Sequence, residues 1–112
     1  MGIHAEYFPD KSIIIVDNNR FIGTENKTFQ SLVQDSISKG TKSITVNLSK
    51  VEYIASLGIE SLVHAYTTCT NRNIKFNIDG VGRNVLKILH QVKLDTVINI
   101  NWFQISFQWA VS

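Results

Sequence analysis

Cysteine, proline and methionine each occur once in the 112 residues, and charged residues make up only 18%. Each scarcity excludes something. With Cys69 alone, the chain holds no internal disulfide and no site built on several thiolates. Pro9 sits in Pro9-Asp10-Lys11, a turn signature, and no Pro-rich or low-complexity linker divides the rest. The net charge of +2, from 11 basic and 9 acidic residues, is not the concentrated basic surface that phosphate-backbone binding needs, so nucleic acid is not an expected partner. The longest purely apolar run, Ile13–Val16, falls far short of the roughly 20 residues of a membrane span. No basic stretch leads into an apolar segment at the start, which predicts a cytoplasmic location without membrane insertion. Met1-Gly2 opens like a myristoylation signal, but Glu6 stands where that signal needs Ser or Thr.

Catalytic groups are equally sparse. His4, His64 and His90 have no second ligand at metal spacing, and Cys69 has no histidine one helical turn away. No close carboxylate pair occurs. Gly80-Val81-Gly82-Arg83 begins like a phosphate loop, but the third glycine would fall at Val85 and no Gly-Lys-Ser/Thr follows. The expectation is a protein without enzymatic activity, cofactor or metal.

What the chain does have is a core: 44% of it is hydrophobic, enough for one domain over residues 1–112. Ile3, Ala5 and Tyr7 alternate with polar residues as a strand, and Ser12–Asp17 follows the Pro9 turn to complete a hairpin. The continuous apolar run in Ser12–Asp17 predicts a strand covered on both faces. Asn18–Thr24 reads as a loop. From Glu25, Phe29, Leu32, Val33 and Ile37 fall at helical spacing, with Gly40 as the stop. Ser43–Leu48 alternates as a strand, Leu57–Asn71 reads as a helix, and Ile74–Ile78 is a strand ended by Asp79-Gly80. Arg83–Val92 is a third helix, and Val97–Ile100 the last core strand. The order β-β-α-β-α-β-α-β predicts an α/β fold: an N-terminal hairpin, then alternating strands and helices, in a mostly parallel sheet with the helices on one face. In the tail, 101–112, Phe103, Ile105, Phe107, Trp109 and Val111 alternate like a strand, while Trp102, Ile105 and Trp109 also share a helical face. An unpaired strand edge there would recruit a second copy into a homodimer.

One position is more specific. Ser56 lies where the strand Ser43–Leu48 and the lead-in Val51-Glu52-Tyr53-Ile54 hand over to the second helix. As an N-cap its hydroxyl would accept a hydrogen bond from a free backbone N–H, worth about 1 kcal/mol. As a phosphorylation site it would add roughly 1.5 to 2 negative charges where the helix dipole favours an anion. The two readings are compatible.

At these residues the chain resembles a known family. Asn47-Leu-Ser-Lys-Val-Glu-Tyr-Ile-Ala-Ser-Leu-Gly-Ile-Glu-Ser-Leu is similar to the core signature of STAS domains, in which a strand ending in Asp-Leu-Ser leads to a helix that opens on Ser-x-Gly. The likeness extends through Asn73–Gly80 and the Val85–Leu94 helix, and covers about residues 12 to 100. It implies an anti-sigma factor antagonist type of domain, a regulatory protein-binding module. In such proteins a kinase that is itself the anti-sigma factor phosphorylates the serine two residues before the glycine, and the phosphorylated form no longer binds it. The matching residues are Ser56 and Gly58. The partner so implied is an anti-sigma factor kinase or a related regulator. STAS-like domains also serve as structural subunits of membrane transport ATPase complexes, which is the alternative. Asn47 stands for the family's usual Asp, Ala55 for an acidic or hydroxyl residue, Leu57 for a small one, and Asn19–Ile22 lacks the family's acidic residue. Topology then predicts one partner-binding rim at the carboxyl ends of the parallel strands, holding Arg20, Phe21, Ser56, Leu57, Gly58 and Arg83.

Overall fold

In the computed structural model, which describes residues 2–102, the β-branched run Ile13–Val16 lies inside strand β2 (Lys11–Asp17). It pairs antiparallel with β1 (Gly2–Tyr7), from Gly2 opposite Asp17 to Tyr7 opposite Ser12. The turn between them closes with the Phe8 N–H donating to the Lys11 carbonyl at 2.8 Å. The chain continues through β3 (Arg20–Phe21), α1 (Asn26–Ser38), β4 (Ser43–Asn47), β5 (Tyr53–Ile54), α2 (Ser56–Thr70), β6 (Lys75–Val81) and α3 (Arg83–Gln91). A 3-10 turn at Leu94–Thr96 leads into β7 (Asn99–Trp102).

The five-stranded sheet has the order β1-β2-β4-β6-β7, and every pairing after the hairpin is parallel. Each crossover steps the same way, and right-handed crossovers of that kind lay α1, α2 and α3 on one face. Burial agrees. Ile14, Val16, Ile44, Val46, Phe76 and Ile78 point into the core, while Thr45, Asn47, Lys75 and Asn77 alternate away from it. The helices supply the opposing layer with Phe29 and Val33, Leu62 and Ala65, and Val85 and Leu89. Each buried Val, Leu, Ile or Phe among them contributes about 1.5 to 3 kcal/mol by leaving water.

Three sequence expectations need correction. β2 is covered on one face only, because Ile13 and Ile15 are half-buried on the side that carries no helix. β6 does not stop at Asp79-Gly80. A register shift between Ile78 and Val81, with Gly80 at φ +74°, lets it continue to Val81. The last strand starts at Asn99, because Val97 belongs to the bend that follows the 3-10 turn. Asn101 and Trp102 end β7. The strand-or-helix tail, with its route to a homodimer, otherwise lies outside the described residues.

Cys69 sits in the core on α2, and burial pushes its thiol up to about 11. Since only the thiolate is nucleophilic, the native protein should resist alkylation by iodoacetamide at pH 8 and react once unfolded in guanidinium. Mass spectrometry of the alkylated peptide measures both. Rapid alkylation of the native protein would refute this placement.

Candidate functional site

The loop after β2 is short and polar, yet it is firmly attached. The Asn19 carbonyl accepts from the Glu52 N–H at 2.7 Å and the Tyr53 N–H at 3.1 Å. Arg20 then pairs with Tyr53 and Phe21 with Ile54 in the parallel β3–β5 ladder. The Phe21 carbonyl accepts from the Ala55 N–H at 3.1 Å. This second, two-stranded sheet replaces the plain loop expected for Asn18–Thr24. It was hidden because each strand has only two residues and no visible period.

That ladder sets where α2 begins. Ala55 stays extended, with φ −99° and ψ 172°, and is itself the N-cap residue; its carbonyl accepts the first helical bond from Ile59 at 3.0 Å. Ser56 is therefore the first helical residue and not the cap, and no side chain caps this helix. Its side chain stands exposed where the first-turn N–H groups of the helix have no partner one turn back. The cap reading of Ser56 is overturned.

Two glycines let the segments touch. A Cβ at Gly58 would lie 2.2 Å from the Phe21 carbonyl oxygen and 3.0 Å from Ile54 Cγ1. One at Gly23, which has φ +98°, would lie 2.3 Å from Leu57 Cβ. On the other side, Gly80 packs against Ser49 and Asn47. Asn47 Oδ1 accepts both from the Ser49 N–H at 2.9 Å and from the Ser49 hydroxyl at 2.6 Å. An amide oxygen thus holds the turn after β4, a task for which a carboxylate charge is not needed. Lys50 reaches back to Asp17 at 3.0 Å and holds that carboxyl below the usual carboxylate range.

The result is one rim. Arg20 and Tyr53 stack side by side, with the guanidinium carbon 5.5 Å from the ring centroid, and Tyr53 is 46% exposed. Leu57 is 59% exposed beside Ser56. Arg83, also exposed, opens α3 across a cleft of about 190 Å3 that it shares with Ser49, Val51 and Glu52. α3 also packs on β5, so Arg20, Ser56, Leu57 and Arg83 do lie at the same end of the sheet. Phe21 and Gly58 do not face outward. The Phe21 ring is fully buried, edge-to-face with Phe29 at 5.7 Å between centroids, and Gly58 is buried beneath Phe21. Both position the rim without presenting a side chain to it. Tyr53 is the exposed member that sequence reasoning missed; its signal was an aromatic residue next to the buried Ile54.

A second cleft, lined by Gly23, Asn26, Leu57, Glu60, Ser61 and His64, measures about 220 Å3. Neither cleft reaches the roughly 300 Å3 at which small-molecule pockets begin. Among the described residues no group of three or more His, Cys, Asp or Glu could hold a metal ion. No helix of the described residues is long and apolar enough to cross a membrane.

The Gly58 contact is testable. Gly58→Ala forces the β3 carbonyl away from α2 and should cost about 1 to 3 kcal/mol or more. Leu57→Ala keeps its Cβ and should stay within about 0.5 kcal/mol of the parent. Urea melts of both variants measure the difference. Equal midpoints would show that the close approach is not a constraint.

Solved structures share this arrangement. An anti-sigma-factor antagonist (STAS) domain protein from Planctomyces limnophilus superposes with a TM-score of 0.77 at 18% identity, covering 100% of this chain and 99% of that one. An anti-sigma factor antagonist from Mycobacterium paratuberculosis gives 0.74 at 16% identity, covering 88% and 83%. The Bacillus cell fate determinant SpoIIAA, in its phosphorylated form, gives 0.69 at 9% identity, covering 97% and 99%. At such identities the likeness is one of fold. No curated protein sequence matches the chain. The STAS-domain family model matches residues 9–105, and the chain belongs to the STAS domain family.

Proposed function

We propose that this STAS domain is a non-enzymatic, cytoplasmic docking module whose rim around Ser56 binds a regulatory protein, and that a phosphate on Ser56 ends that binding. The observation that carries the reading is the placement of Ser56: exposed at the first position of α2, not used as a cap, and next to the exposed Leu57. A stacked, exposed Arg–Tyr pair on the same rim is the kind of anchor on which interfaces concentrate their energy. A dianion at Ser56 would be tolerated by the fold, because the first turn of a helix favours negative charge. It would not be tolerated in a desolvated interface, where an unpaired charge costs several kcal/mol. The fold and the match of Ser56 and Gly58 to the family's Ser-x-Gly favour an anti-sigma factor kinase or a related ATP-binding regulator as the partner.

The test combines capture and substitution. The tagged full chain, recovered from its own cells, should carry the regulator and, in a fraction of molecules, a phosphate on the Ser56 peptide. Ser56→Asp should melt within about 0.5 kcal/mol of the parent and bind the regulator at least about tenfold more weakly. Ser56→Ala should bind as the parent does. A transport ATPase recovered at equal stoichiometry, with Ser56→Asp still bound, would overturn the switch in favour of a structural subunit.

A further inference from the structure

The pole opposite Ser56 has a composition of its own. β2, β4 and β6 begin there, and the helices, which run antiparallel to them, end there. Lys11 and Lys75 flank Ser43 in register across the three strands. The Lys42 N–H donates to the Asp10 carbonyl at 2.9 Å, and the Lys75 N–H to the Lys42 carbonyl at 3.1 Å. Lys39, Arg72 and Lys93 follow the ends of α1, α2 and α3. All six cations are exposed, and none makes a salt bridge among the described residues. The acidic residues nearby are Glu6 and Asp10 at the β1–β2 hairpin, Asp35 one turn before Lys39, and Asp95, which is hydrogen-bonded to His90 at 2.6 Å.

Apolar side chains stand exposed among these cations. Phe8 is 46% exposed with Lys11 over its ring at 5.6 Å, and Tyr7 is exposed with Lys39 over its ring at 4.8 Å. Val97, 56% exposed, lines an open cleft of about 440 Å3 together with Thr70, Asn73 and Lys75. Cations after helix C-termini complement the helix dipoles. That accounts for Lys39, Arg72 and Lys93. It does not account for Lys11, Lys42 and Lys75 on the strand starts, or for exposed Tyr7, Phe8 and Val97 between them.

We propose that this pole is a peripheral docking surface for an anionic phospholipid bilayer. Charge complementarity selects the partner. Lysines near an anionic leaflet each add attraction, aromatic rings settle at the headgroup level, and aliphatic side chains enter just below it. The exposed rings and cations are spread across the full width of the sheet, from Phe8 and Lys11 at the β1–β2 turn to Lys75 and Val97 beside β7, and a flat leaflet meets such a spread all at once. Docked this way, the domain holds the Ser56 rim away from the membrane and open to a protein.

Cosedimentation of the full chain with vesicles tests it. Phosphatidylcholine vesicles containing phosphatidylglycerol should bind the protein and release it as salt is raised; pure phosphatidylcholine should not bind it. Lys42→Glu/Lys75→Glu should weaken binding at least about tenfold, while the charge-matched Lys27→Glu/Lys50→Glu, at the start of α1 and in the turn after β4, should lose much less. Phe8→Ser should also weaken binding. Circular dichroism melts confirm that each variant is folded. No binding to the anionic vesicles, or equal losses for the two double variants, would overturn the proposal. Binding to poly-glutamate but not to the vesicles would replace the bilayer with an acidic protein.

Discussion

A backbone-to-backbone approach, the Phe21 carbonyl lying over Gly58, organises the end of this molecule that carries Ser56. It is possible only because position 58 has no Cβ, and it is held from the other side by the Ala55 N–H donating to the same carbonyl. From that contact the rest follows. β3 is fixed against β5, Phe21 is driven into the core against Phe29, and α2 must begin at Ser56. A packed interior transmits such constraints because it has little free volume in which to relax. The exposed residues of the rim, Arg20, Tyr53, Ser56 and Leu57, are thus displayed by a rigid support made of Phe21, Ile54 and Gly58.

The two ends of the sheet carry different physics. At the carboxyl ends of the strands, the surface is an Arg–Tyr stack, an exposed leucine and a hydroxyl on a helix start, with two shallow clefts between them. At the amino ends, lysines alternate with exposed rings. A net charge of +2 conceals this polarity, since it averages a cationic pole with a mixed one. Parallel strands make such separation natural: every strand starts at one end and finishes at the other, so residues far apart in sequence share a pole.

Much of this was legible from local pattern. The strand alternation at Ser43–Leu48, the helical spacing of Phe29, Leu32, Val33 and Ile37, and the stop at Gly40 depend on periods of two and 3.6, which a chain cannot hide. Ser56, Leu57 and Gly58 were legible because the motif around them is contiguous. Arg20 and Arg83 were placed at the correct end by topology alone. Phe21 was misjudged as a contact residue because a loop aromatic looks exposed until the ladder that buries it is known. Tyr53 was missed because its exposure depends on the same ladder.

Sequence by itself determined the order of the five main strands and three helices, the placing of the helices on one face, and the Ser-x-Gly start of α2, since these rest on periodicity, on the handedness of crossovers and on adjacent residues. Only the tertiary structure decided that Ala55, not Ser56, caps α2, that β2 is half-open, and that cations from three strand starts and three helix ends gather at one pole. Those outcomes depend on distances between segments remote in the chain, and no local pattern encodes a distance.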